Sequence, residues 1–274
     1  MFVFCSITDE MNAQVLVIRN SPRDISKMST IDAGKIRVWY ALNAVDIRDE
    51  STYDDWERLE IGSHISRYYS YFIFRSDSLC TEWGKKNPKA SSVPTGCGSG
   101  GKQSGRWSEY YHSDFIKDFS KKILTQYTYM PHRIPCYQYT EDIPVQNWSL
   151  QDDTTTIAGY LCQKAICSFR GRDFEAWFAV NIPINNGPWK FGGLPGLILK
   201  VSDIERLYVF ECTSIEVHNN EFPIEIHSNV KYENINREKY RKLVESINVD
   251  YFKLTGWQME RYIEQPPYHP LELE

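Results

Sequence analysis

Phe174-Glu-Ala-Trp-Phe-Ala-Val180, followed by Ile182-Pro-Ile-Asn-Asn-Gly-Pro-Trp-Lys-Phe-Gly-Gly-Leu-Pro-Gly-Leu-Ile-Leu-Lys-Val201, is the stretch whose reading decides the fold. Between two apolar runs it sets four glycines (Gly187, Gly192, Gly193, Gly196) and three prolines (Pro183, Pro188, Pro195). Glycine opens backbone conformations closed to other residues or permits close approach, and proline fixes φ and deletes an N–H. The segment therefore reads as consecutive tight turns with a defined path. Its flanks, Phe174–Val180 and Leu197–Val201, carry the apolar and β-branched content of strands.

Similar short runs recur outward from this point. Residues 35–42 alternate at Ile36, Val38, Tyr40 and Leu42, as a strand with one buried face does. Further strand-like runs are Leu59–Ile61, Arg67–Phe74, Ile123–Tyr129, Ile157–Phe169, Leu207–Val217 and Ile224–Val230. Arg170-Gly-Arg-Asp173 and Ser202–Arg206 are short enough to close hairpins. The pattern predicts a mainly β fold of the β-rich α+β kind: a curved antiparallel sheet, sandwich or open barrel with at least one helix packed on it. That helix is expected at Arg237–Ile247, where Tyr240, Leu243, Val244 and Ile247 form one stripe and Asn236 stands as N-cap. A second, weaker candidate sets Trp107, Tyr111, Phe115 and Phe119 at steps of four.

Leu194-Pro-Gly-Leu-Ile198 resembles the signature of the GLPGLI family, a group of secreted bacterial proteins without an established activity. The resemblance extends through Ile157–Ala165 and Phe169–Trp177, to Leu59–Gly62 and Ser66–Ser70 upstream, and to the ending Pro267–Glu274. It spans roughly residues 35–274, with the Gly/Ser/Lys-rich region 84–106 as an apparent insertion. What it implies is export to the periplasm or beyond, not a reaction.

Composition narrows the function classes. The chain has 274 residues, 42% apolar and 14% aromatic, and a net charge of −5. That is enough apolar content for a core, with no electrostatic footprint for nucleic acid or an anionic membrane. No run approaches the length of a transmembrane helix. Residues 1–14 are read as the remnant of a signal peptide or a mis-assigned start, with Met11–Gln14 resembling a processing junction, and 15–274 as a single β-rich domain. Beyond Cys5 lie Cys80, Cys97, Cys136, Cys162, Cys167 and Cys212, an even set suggestive of disulfides in an exported chain. Cys80 and Cys97 bracket the irregular segment and are the preferred pair. Cys162 and Cys167 have opposite parity on a continuous strand and should face opposite sides.

Motifs for chemistry are sparse. Gly96-Cys-Gly-Ser-Gly-Gly-Lys102 follows a phosphate-binding loop for seven positions, but Gln103 stands where the magnesium-binding Ser or Thr belongs. The histidines show no zinc-ligand spacing and the cysteines no Cys-x-x-Cys, so neither a metal nor another cofactor is expected. There is no Gly-x-Ser-x-Gly elbow, and Cys136 or Cys167 would need a free low-pKa thiolate to serve as a nucleophile. Asp54-Asp55 and Asp152-Asp153 sit in polar, turn-like sequence.

The remaining surface is the motif itself. Asn185, Asn186, Trp189 and Lys190 could present an exposed indole beside a cation to a sugar, peptide or partner strand, with Arg170, Arg172 and Trp177 on the adjacent hairpin. In the competing structural reading Trp189, Phe191 and Leu194 fold inward, and Gly187, Pro188, Gly192, Gly193, Pro195 and Gly196 shape the turn that delivers Leu197 and Ile198 to the next strand. The functional expectation is a non-enzymatic binding or envelope-accessory protein for an apolar ligand, a peptide or an envelope protein. The alternative is a secreted hydrolase with a site assembled across strands.

Overall fold

The structure is a computed structural model that describes residues 22–90, 100–102, 107–256 and 268–274. Twelve strands form one sheet: β1 (Met28–Leu42), β2 (Asp55–Gly62), β3 (Ile65–Ser70), β4 (Ser113–Asp118), β5 (Ile123–Thr128), β6 (Cys136–Asp142), β7 (Ser149–Ile157), β8 (Tyr160–Phe169), β9 (Arg172–Ala179), β10 (Leu197–Asp203), β11 (Val209–His227) and β12 (Tyr232–Asn234). A one-turn 3-10 helix (Glu50–Thr52), α1 (Tyr71–Lys86) and α2 (Arg237–Thr255) complete the elements. The spatial order is β12-β6-β5-β4-β3-β2-β1-β11-β10-β9-β8-β7. Its end strands, β12 and β7, do not pair with each other, so the sheet is open. All neighbours are antiparallel except β12 and β6.

Register sorts the side chains of the central strands into two faces. Val38, Tyr40 and Leu42 of β1 lie opposite Leu59, Glu57 and Asp55 of β2, and belong to one face. With Tyr68, Phe115, Phe174, Ala176, Val201 and Phe210 they make the main apolar core. Arg37, Trp39 and Ala41 lie opposite Glu60, Arg58 and Trp56 on the other face. A second cluster gathers Trp107, Met130 and Tyr139 against Tyr240, Val244, Ile247 and Tyr251 of α2.

Several elements follow the sequence reading. Asn236 caps α2, its Oδ1 accepting from Lys239 N at 2.8 Å. The Arg170–Gly171 turn joins β8 to β9 with φ of 53° and 81°. Others differ. The run Arg67–Phe74 is a strand only to Ser70, whose hydroxyl accepts from Ile73 N at 3.1 Å and starts α1. The aromatic-rich tetrad Tyr71–Phe74 has strand propensity, and the cap overrides it. No helix forms on Trp107, Tyr111, Phe115 and Phe119, because residues 113–118 pair with β3 and β5 as β4.

Ile157–Phe169 is two strands broken at Ala158–Gly159, both at positive φ, the conformation a two-residue hairpin needs. Leu207–Val217 and Ile224–Val230 fall largely on one long strand, β11, with register shifts opposite β1. Cys162 and Cys167 are both buried beside the main core, and no disulfide joins them. α2 runs beyond Ile247 to Thr255, with a kink at Asp250 (φ −156°, ψ 80°).

Candidate functional site

The Gly/Pro-rich segment leaves β9 after Ala179 and folds back on itself before β10. Ile182 N donates to Ala179 O (3.1 Å), Leu197 N to Ile182 O (3.0 Å) and Ile198 N to Asn186 O (3.0 Å). Trp189, 2% exposed, takes φ of 50°, an unusual conformation for a bulky residue. Its ring packs edge-on to Phe191 and Phe169, centroids 5.2 and 6.0 Å away. Leu194 and Phe191 are buried beside it. A Cβ on Gly196 would stand 2.2 Å from Ala179 O, so close backbone approach, not left-handed φ, makes glycine necessary there.

Polar side chains anchor the loop to the sheet. Asn186 Oδ1 accepts from Gly187 N (2.9 Å) and from Lys117 Nζ (3.0 Å). Lys117 also donates to Phe191 O at 2.5 Å, and burial lowers its pKa to about 7. Asn185 Oδ1 accepts from Gly193 N at 2.5 Å. Trp148 Nε1 donates to Gly192 O at 2.7 Å.

Lys190, 1% exposed, is the hub of a larger network. Its Nζ donates to Tyr139 Oη (2.7 Å), to Glu141 Oε1 (3.0 Å) and to Glu272 Oε1. Arg170 holds the other oxygen of Glu141 at 2.6 Å. Arg237 Nε holds the other oxygen of Glu272 at 2.7 Å. Burial resists ionisation of Glu272, but Lys190 and Arg237 outweigh it and lower its pKa.

Glu272 belongs to the C-terminal segment 268–274, and three of the predicted residues, Arg170, Arg172 and Lys190, bind this segment. Arg172 donates to Pro270 O through Nη2 (2.7 Å) and Nε (3.1 Å). Leu273 N donates to Arg170 O at 2.8 Å, and Leu271 N to Tyr110 Oη at 2.5 Å. Leu271 is fully buried in the main core. Tyr268 Oη donates to Glu109 Oε1 at 2.5 Å. Lys190, Arg170 and Arg172 thus meet at one place, together with Arg237, Tyr110 and Glu141, which sequence reasoning did not single out. Trp177 lies on the other face of β9, its Nε1 donating to Glu175 at 2.9 Å.

A second titratable cluster was also missed. Asp55 opens β2 and is not a turn residue: with Glu57 it faces the main core, the two being 2% and 1% exposed. Ser70 Oγ and Trp56 N donate to Asp55 Oδ1, both at 2.8 Å. Tyr68 Oη donates to Glu57 Oε2, and Asp55 Oδ2 has no partner. No cation pairs with either carboxyl among the described residues, and burial, reinforced by their neighbouring charges, pushes both pKa values well up. An acid, any residue, an acid on a strand with alternate apolar positions is the signal that could have found them. Asp152 and Asp153, in contrast, are exposed on the edge strand β7.

Among the described residues there is no disulfide. Burial raises the Cys162 thiol to about 11 and those of Cys167 and Cys212 to about 12, values that leave no thiolate for nucleophilic chemistry near neutral pH. Cys97, the expected partner of Cys80, lies outside the described residues, as do residues 1–21 and most of the loop at 96–102. No described helix is long and apolar enough to cross a membrane.

The fold is an open sheet with the Gly/Pro loop and the C-terminal segment packed into its main core. A family described as a protein of unknown function (Porph_ging) matches residues 169–200, from the end of β8 through the loop to β10. No curated protein matches the chain. Among solved structures, PNGF-II in its C2 and P21 space groups aligns with a TM-score of 0.49 and 14% identity, over 79% of this chain and 34% of that one. The chain therefore spans about a third of the length of those structures.

Proposed function

We propose that this chain is a non-enzymatic, exported binding protein of the GLPGLI kind. Its groove between the β8–β9 hairpin, the Lys190 loop and α2 receives an extended acidic-apolar peptide from an envelope partner. The observation that carries the reading is the way residues 270–273 are held. Arg172 grips a carbonyl, Tyr110 and the Arg170 carbonyl take alternate amides, an apolar pocket takes Leu271, and Lys190 with Arg237 takes a carboxylate. Main-chain bonds supply affinity and alternating side-chain pockets supply specificity, as in extended-peptide recognition generally. The partner segment displaces the chain's own tail.

A secreted hydrolase would have its best acid–base pair in Asp55 and Glu57. With both carboxyls sealed from solvent, no substrate bond reaches them, and the binding reading is the better supported.

The test is fluorescence anisotropy of a labelled Pro-Leu-Glu-Leu-Glu peptide with the full-length protein. Saturable binding is expected, weakened by Arg172→Met and by a peptide with glutamine in place of glutamate. If the full chain does not bind the peptide while a variant ending before Tyr268 does, the groove is only a seat for the tail. Absence of binding to either protein refutes the proposal as well.

A further inference from the structure

On the opposite face of the central strands, Trp39, Trp56 and Arg58 form a cluster that only donates. Trp39 and Trp56 stand 4.6 Å apart between ring centroids. Tyr71 of α1 packs edge-on to both, at 4.7 and 5.2 Å. The Arg58 guanidinium lies 5.3 Å from the Trp39 ring, 5.1 Å from Tyr71 and 5.2 Å from Phe74. Trp39 Nε1, Trp56 Nε1 and Arg58 Nε are all buried without a hydrogen-bond partner. Indole and guanidinium groups have no acceptor to offer, so these three cannot satisfy one another. A buried donor left without an acceptor destabilises the fold.

Charge points the same way. Along this face Arg23 pairs with Asp77 and Asp114, Arg67 with Asp114, and Arg37 and Arg58 share Glu60. Four guanidiniums thus divide three buried carboxylates. Burial lowers the pKa of Arg58 to about 10; Glu60 opposes the shift, and Arg37 and Arg67 add to it. Trp39 and Arg58 are buried, at 7% and 8% exposure, whereas Trp56, Tyr71 and Phe74 are partly exposed and give the cluster a rim.

We infer that this cluster is a binding site for a small organic carboxylate carried on a flat apolar body. The carboxylate oxygens accept from the two indoles and Arg58, and the ring of the ligand takes the place of Tyr71 over the indoles. An acceptor-rich anion supplies what the three donors lack, and aromatic walls suit a flat body. The site is independent of the peptide groove, which lies on the opposite face.

Isothermal calorimetry of the full-length protein with benzoate tests the assignment, with benzamide as the neutral isostere. One benzoate per chain is expected, and benzamide should bind at least tenfold more weakly. Trp39→Phe and Trp56→Phe keep the rings but remove the donors, and each should weaken benzoate roughly three- to tenfold, the worth of one hydrogen bond. Arg58→Met should abolish binding; if that variant does not fold, the two tryptophan variants decide alone. No saturable benzoate binding, equal affinity for benzamide, or parental affinity in the doubly substituted Trp39→Phe/Trp56→Phe protein overturns the inference.

Discussion

Replacing Gly196 by alanine is the sharpest probe of the Gly/Pro segment. The new Cβ would sit 2.2 Å from the Ala179 carbonyl oxygen, 2.7 Å from its carbon and 3.1 Å from Val180 Cα. All three are backbone atoms, so no side chain can rotate away, and the start of β10 must move off β9. Overpacking of this kind costs about 1–3 kcal/mol. The same movement strains the Ile182 N to Ala179 O and Leu197 N to Ile182 O bonds, each worth about 0.5–1.5 kcal/mol. A total near 3 kcal/mol, at about 2–4 °C per kcal/mol for a chain of this size, lowers the melting temperature by roughly 6–12 °C.

Two control glycines make the comparison internal. Gly193 has φ of 84°, and a Cβ there would lie 3.6 Å from the nearest atoms, those of the Trp148 ring, so Gly193→Ala meets backbone strain without a clash and should cost about 1–2 kcal/mol. Gly84 lies in α1 with nothing within 4 Å, so Gly84→Ala should stabilise by about 0.5–1 kcal/mol. Thermal melts followed by circular dichroism should rank Gly84→Ala above the parent, then Gly193→Ala, then Gly196→Ala. A Gly196→Ala protein that melts at or above Gly193→Ala refutes the close-approach argument.

Other outcomes follow from the same geometry. Trp189→Ala removes a buried indole and should cost about 3–5 kcal/mol in a denaturant titration; a change below about half a kcal/mol would mark a surface residue. Lys190→Met strands Glu141 and Glu272, which keep Arg170 and Arg237, so the loss should fall at or below the roughly 3–5 kcal/mol of a broken buried pair. Lys117 titrates near 7 in the fold and near 10.4 unfolded, so the unfolded chain binds more protons between these values and stability from this group rises with pH. Lys117→Met should flatten that rise between about pH 7 and 9 in stability measured against pH. Asp55 and Glu57 have raised pKa values and act with the opposite sign: their stability contribution is full below about pH 4 and falls as pH rises through the folded values. Asp55→Asn with Glu57→Gln should remove that fall, and an unchanged slope would disprove the burial argument.

How far the sequence reaches depends on whether a feature is local. The α2 stripe and its Asn236 cap, the Arg170–Gly171 turn and the strands around the Gly/Pro segment all depend on neighbours within a few residues, and all are legible. The start of α1 is not, because Tyr71-Phe-Ile-Phe74 favours a strand by composition and only the Ser70 cap turns it into a helix. The aromatic steps from Trp107 to Phe119 fit a helix equally well until β3 and β5 compete for residues 113–118. The site was half legible: Arg170, Arg172 and Lys190 could be named, but their partners lie far along the chain. Lys190 and Glu272 are 82 residues apart, and no local pattern joins them. Trp177 was drawn into the same group by proximity in sequence, although strand parity sends it to the other face of β9.

The central claim is that the groove holding residues 270–273 exchanges its own tail for a partner peptide, and amide hydrogen exchange of the full-length protein tests it most directly. The Leu271 and Leu273 amides, bonded to Tyr110 Oη and Arg170 O, should lose protection when the Pro-Leu-Glu-Leu-Glu peptide is added to saturation. The Leu197 and Ile198 amides, held by Ile182 and Asn186, should stay protected because the loop beneath is unchanged. Unaltered protection of Leu271 and Leu273 at saturating peptide would contradict the account, and so would loss of protection at all four amides together.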